Sequence, residues 1–134
     1  MVLKGFGLSE IVTTSNNLDA DLFVSIHCNS VGDSSVQGTE VFWYNDGFYN
    51  DKKLATLILN QMLSSIKLVN RGVKNAVPGK NGLYVLKYTD CPAVLVELAF
   101  ISNTEDEALL ADSEMQDQFA RAIARGITDY IGGR

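Results

Sequence analysis

Two polar side chains sit where apolar ones are expected. His27, the only histidine in 134 residues, ends the run ADLFVSIH (20–27), and Glu97 lies inside PAVLVELAF (92–100). A carboxylate in such a run loses its water, which costs several kcal/mol unless a partner compensates. Glutamate is almost never fully buried alone, so Glu97 implies a metal, a cation or a proton held by a raised pKa. A buried salt bridge meets that need as well as a functional site does. A lone histidine at a strand end is more often a structural residue with both ring nitrogens hydrogen-bonded than a ligand. Taken together, the two side chains suggest metal-assisted hydrolysis. A neutral imidazole suits zinc, and a carboxylate that does not ligate can move a proton from water to a leaving nitrogen. Bound zinc lowers the pKa of its water to about 7. Nucleophilic triads are poorly supported. Cys28 follows His27 directly and would point to the opposite face of a continuing strand, and Ser25 has no evident acid partner.

The elements that must position these residues are legible as alternating strands and helices. Segment 8–17 predicts a short helix, and 20–27 a strand apolar on both faces, as in a parallel sheet. CNSVGDSSVQG (28–38) reads as a polar loop, TEVFWY (39–44) as a strand and NDG (45–47) as a turn. The apolar residues of 51–66 have the spacing of one helix face. The stretch 70–82 reads as loop, LYVLKY (83–88) as a short strand and 92–100 as a third buried strand. Residues 101–110 open a helix with Asn103 or Thr104 as N-cap and acids in its first turn. Residues 113–131 form a last amphipathic helix. Strands apolar on both faces that alternate with helices give an α/β layered fold. Chemistry in such folds collects beyond the carboxyl ends of the strands, where His27 and Glu97 fall.

Composition bounds the function. The length suits one domain. The chain is 46% hydrophobic and 20% charged, with no apolar run approaching a membrane span. A net charge of −5 argues against nucleic acid as the main partner, since phosphate binding needs clustered cations. Cys28 and Cys91 make no disulfide framework; they read as two free, buried thiols, with one bridge the alternative if the fold brings them together. The opening residues MVLKGFGLSE carry no secretory signal.

ADLFVSIHCNS, QGTEVFWY, NRGVK and LYVLKYTDCPAVLVELAFISNTEDEALL together resemble the zinc-dependent N-acetylmuramoyl-L-alanine amidases of the type 3 family, over nearly the whole chain. The resemblance implies an α/β fold with a twisted, mostly parallel sheet and helices on both faces, phosphorylase/hydrolase-like in layout. It implies hydrolysis of the amide between N-acetylmuramic acid and the L-alanine of the stem peptide, with Zn2+ as cofactor and peptidoglycan as partner. His27 resembles the family's second zinc histidine and Glu97 its catalytic glutamate. Asn29 and Arg71 fall on the substrate-binding side. Arg71 and Lys74 of NRGVK suit stem-peptide carboxylates, although solvated surface charge is the simpler reading of both.

The departure from the family is as informative as the match. Family members begin with a strand ending in a His-Gly-Gly type motif, which gives the first zinc histidine, and a glutamate on the next helix gives another ligand. The chain carries neither, and a catalytic zinc takes three protein ligands. Residues 1–134 therefore read as a single amidase domain comprising the carboxy-terminal three-quarters of the family's, without the first strand and helix. A bared apolar face would favour a homodimer. Three functions follow as expectations: a hydrolase active when complete, a non-catalytic peptidoglycan- or protein-binding remnant, and a metal site rebuilt across two chains with Glu10, Asp21 or a second His27. The substrate places the work at the cell envelope or outside the cell.

Overall fold

A computed structural model describes residues 7–45, 51–77 and 84–133. Its elements run α1 (Leu8–Asn17), β1 (Phe23–Asn29), β2 (Thr39–Trp43), α2 (Asp51–Ser65), β3 (Asn70–Asn75), α3 (Tyr84–Tyr88), β4 (Ala93–Phe100), α4 (Thr104–Ala111) and α5 (Ser113–Ile131). The strands form one sheet in the order β1-β4-β2-β3. β1 runs parallel to β4 and β2 parallel to β3, while β2 and β4 are antiparallel. The sheet is thus mixed, with two of its three pairings parallel, and helices lie on both faces as expected.

The two faces hold separate cores. Val41, Val94 and Val96 pack against Leu54, Ile58 and Met62 of α2 and against Phe119, Ala122 and Ile123 of α5. Ala93 and Leu95, pointing the other way, meet Val12 of α1 and Val85 and Leu86 of α3. The α2–α5 contact is close enough to require glycine. A Cβ on Gly126 would lie 2.6 Å from the Ile58 Cα, so a side chain there would force the helices apart. Helix ends follow the capping signals. Asn103 accepts from the backbone of Glu105 and Asp106, and Asp112 from that of Glu114 and Met115.

Four expectations need correction. Residues 84–88 of LYVLKY form a short helix, closed by the Thr89 hydroxyl on the Val85 carbonyl, with the Tyr84 and Tyr88 rings one turn apart at 4.5 Å. Asn70–Asn75, read as loop, is an edge strand, where one buried face needs few apolar residues. β1 is not buried on both faces. Among the described residues it pairs only with β4, and Ile26, His27 and Cys28 are exposed. Of the two free thiols only Cys91 is buried. The turn read at 45–47 lies mostly outside the described residues, as does Leu83. On the α5 side of β1, Ile26 and Cys28 border an apolar groove of about 270 Å³ with Leu98, Leu110, Phe119 and Ile123.

Candidate active site

His27 and Glu97 are brought side by side. They are register partners on β1 and β4, and Glu97 in turn faces Glu40 across β2. Register partners on adjacent strands share a face, so the three form one polar row beyond the small α1–α3 core. The row extends onto β3, because Arg71 and Lys74 both reach the Glu40 carboxylate. In strand order it reads imidazole, carboxylate, carboxylate, cations.

The two carboxylates live differently. Glu40 is 4% exposed and fully engaged. Its Oε1 accepts from Asn29 at 3.2 Å, and its Oε2 accepts from Arg71 Nε at 2.9 Å and from Lys74 Nζ at 2.5 Å. Glu97 is half-buried, and its Oε2 is enclosed with no hydrogen-bond partner among the described residues. Burial, with the Glu40 charge adding to it, pushes the Glu97 carboxyl up to about 7. Of the three partners its sequence environment allowed, the burial and the Glu40 charge favour a proton held by a raised pKa.

His27 is exposed at the open edge of the sheet, its Nε2 2.8 Å from the Ser25 hydroxyl two residues earlier on the same face. Between His27 and Asn29 the register slips, β4 holding one residue more than β1, so that Asn29 pairs with Phe100. The slip lets the Asn29 amide reach Glu40 while its Oδ1 accepts from the Ser30 backbone. Arg71 and Lys74 are not solvated surface charges. They flank a buried anion, and the Arg71 guanidinium lies 5.0 Å over the Phe100 ring.

Two positioning residues escaped the sequence reading. Glu40 was detectable by the logic applied to Glu97, since TEVFWY also places a carboxylate in an apolar strand. Asp106 looked like one more acid in a helix first turn. It is buried, and its Oδ2 accepts from the Gly38 and Phe100 backbone, tying the entry of β2 to the exit of β4. Gly38 itself has φ +121 and no room for a Cβ, which would meet the Val69 carbonyl at 2.5 Å.

Zinc does not fit the described residues alone. Among them no group of three or more His, Cys, Asp or Glu side chains could hold a metal ion, whereas a catalytic zinc takes three protein ligands. His27 stands as a single nitrogen donor.

Known proteins extend the comparison. The model of the Amidase_3 family, described as N-acetylmuramoyl-L-alanine amidase, matches residues 4–129. The chain is 41% identical over 124 residues to the uncharacterized protein YqiI of Bacillus subtilis, covering 92% of the chain and 57% of YqiI. It is 38% identical to the N-acetylmuramoyl-L-alanine amidase LytC of the same organism, covering 93% of the chain and 24% of LytC. The chain thus spans between a quarter and somewhat over half of these relatives. Among solved structures, the catalytic domain of the amidase CwlV from Bacillus (Paenibacillus) polymyxa superposes with a TM-score of 0.85 at 33% identity, over 98% of the chain and 69% of CwlV's. AmiC2 of Nostoc punctiforme gives 0.85 at 37% identity, over 96% and 68%. The chain belongs to the Amidase_3 family of N-acetylmuramoyl-L-alanine amidases.

Proposed function

We propose that this chain carries the general acid–base half of a peptidoglycan hydrolase that cleaves the amide between N-acetylmuramic acid and the L-alanine of the stem peptide. The observation that carries the reading is Glu97, a carboxyl near pKa 7 with an unpartnered buried oxygen, beside His27 in register. A group poised near the working pH transfers protons both ways. Ionised, Glu97 takes a proton from water as the water oxygen bonds to the amide carbon. Protonated, it gives that proton to the nitrogen as the C–N bond breaks, leaving a carboxylic acid and a free L-alanine amine. Zn2+, implied by family resemblance, would take His27 as one ligand and needs further donors beyond the described residues. Peptidoglycan as substrate sets the work at the cell envelope or outside the cell.

A second reading has its own support. One histidine in the sequence and no metal-binding cluster among the described residues favour a non-catalytic remnant that binds peptidoglycan. The two separate by zinc content and by new amino groups released from purified peptidoglycan. Near one zinc per chain, lost in His27→Ala, with release falling 10²–10⁴-fold in Glu97→Gln, supports the hydrolase. No zinc and no release, with retention on peptidoglycan, supports the remnant.

A further inference from the structure

We infer that Arg71, with Lys74 beside it, is a preformed receptor for a carboxylate of an acidic peptide lying across the sheet. The inference deepens the hydrolase reading and rests on it for the substrate class. Arg71 spends one donor on the protein, its Nε on Glu40. Among the described residues its two terminal nitrogens meet no acceptor, although the side chain keeps 32% of its exposure. Arginine presents its donors in a fixed planar fork that matches a carboxylate bidentately. Here the plane is held at two points, by the Glu40 carboxylate at 2.9 Å and by the Phe100 ring at 5.0 Å. Ordering of the side chain is already complete before a ligand arrives, which removes a usual cost of binding.

Charge points the same way. Two cations share the one Glu40 carboxylate, so the cluster carries an excess positive charge whenever the neighbouring Glu97 holds its proton, and Lys74 is 40% exposed. A solvated pair with no ligand would need neither a buried anchor nor a ring to stack on. Reach then fixes the ligand's form. Glu97 lies on β4, Glu40 on β2 and Arg71 on β3, so Arg71 stands two strand spacings from Glu97, about 10 Å. An extended peptide rises about 3.3 Å per residue, so the carboxylate belongs roughly two to three residues beyond the amide at Glu97.

The test is binding, independent of turnover. Wild type, Arg71→Met and Arg71→Lys are titrated with the tripeptide N-acetyl-L-alanyl-γ-D-glutamyl-L-lysine, and with its counterpart amidated at both carboxylates. NMR shifts of the Gly38, Gly72 and Phe100 amides give the readout. Wild type is expected to bind the acid at least tenfold tighter than the amide. Arg71→Lys, which keeps the charge opposite Glu40 and so preserves the fold, is expected to lose most of that preference, because lysine lacks the fork. Equal affinity for acid and amide, an acid affinity unchanged in Arg71→Lys, or no binding to wild type at millimolar peptide overturns the receptor. Carboxylate-dependent binding without amide cleavage keeps the receptor and sinks only the hydrolase.

Discussion

The two halves of the polar row solve one problem in opposite ways. On the β2–β3 side, Glu40 is buried and meets three donors, from Asn29, Arg71 and Lys74. On the β1–β4 side, Glu97 is less enclosed yet has a buried oxygen with no partner among the described residues, and its carboxyl is pushed up to about 7. The halves touch, since Glu40 and Glu97 are register partners. A fold that can satisfy a carboxylate with three donors one strand away has the means to satisfy its neighbour. The Glu40 carboxylate has its charge balanced within the fold, and the Glu97 carboxylate is the one whose environment perturbs it, as environments at reactive sites do.

The sharpest way to break this contrast is to delete each carboxylate in turn. Glu40→Ala removes the anchor of two cations and of Asn29, and removing one side of a buried ion pair is costly. Arg71 and Lys74 are partly exposed and can rehydrate, so the expected loss is about 2–4 kcal/mol in denaturant unfolding. Glu97→Gln, measured alongside at pH 8, should be neutral or stabilising, because it removes a buried group that must otherwise ionise. Equal losses in the two variants would mean that Glu97 has partners of its own and is structural too.

The pH dependence sharpens the same comparison at a smaller scale. The Glu97 carboxyl titrates at about 7 in the fold against an ordinary value of 4.5. Below about pH 4.5 both folded and unfolded chains hold the proton, and its burial costs nothing electrostatic. As pH rises through 7, the folded chain must ionise a poorly solvated group that the unfolded chain ionises freely, so stability falls across this window. The group is half-exposed, and after screening the fall should be on the order of 1–2 kcal/mol. The difference in stability between wild type and Glu97→Gln, followed from pH 4.5 to 8 with chelator present, isolates it. A flat difference would show that Glu97 titrates normally.

The contrast also marks what the sequence could convey. His27 and Glu97 were visible because each interrupts an apolar run; the strand of Glu97 was placed within a residue, while that of His27 lies at Phe23–Asn29 rather than 20–27, and their pairing came only with the structure. Glu40 carried the same signal in TEVFWY. Its partners did not, because Arg71 and Lys74 lie in the polar edge strand NRGVKN, whose period-2 pattern has one valine to show it. α5 was legible end to end, since Asp112 caps it and its apolar stripe runs its full length. α3 was not, because five residues hold too few turns for a 3.6-residue period to emerge, and Tyr and Val favour strands in isolation. The edge position of β1 was hidden for a further reason. An apolar edge strand and an apolar central strand look alike until the neighbours are known, and only the pairing of β1 with β4 alone exposes Ile26, His27 and Cys28.

The smallest expected effect completes the comparison at the open end of the row. His27 is exposed, lies on an edge strand and, among the described residues, makes one side-chain hydrogen bond, to Ser25. Such a bond in water contributes little, because either partner can turn to solvent instead. His27→Ala should therefore change folding stability by no more than about 0.5 kcal/mol, several-fold less than Glu40→Ala at the other end. Ser25→Ala should match it, since the two share the one bond. A loss above about 1.5 kcal/mol in His27→Ala, reproduced by Ser25→Ala, would make the pair a structural clasp for β1 and would leave Glu97 as the only group in the row without a structural task. A loss near zero, with Glu40 large and Glu97 stabilising on neutralisation, would divide the row cleanly: the fold leans on β2 and β3, and the side chains of β1 and β4 that face them are left free to react.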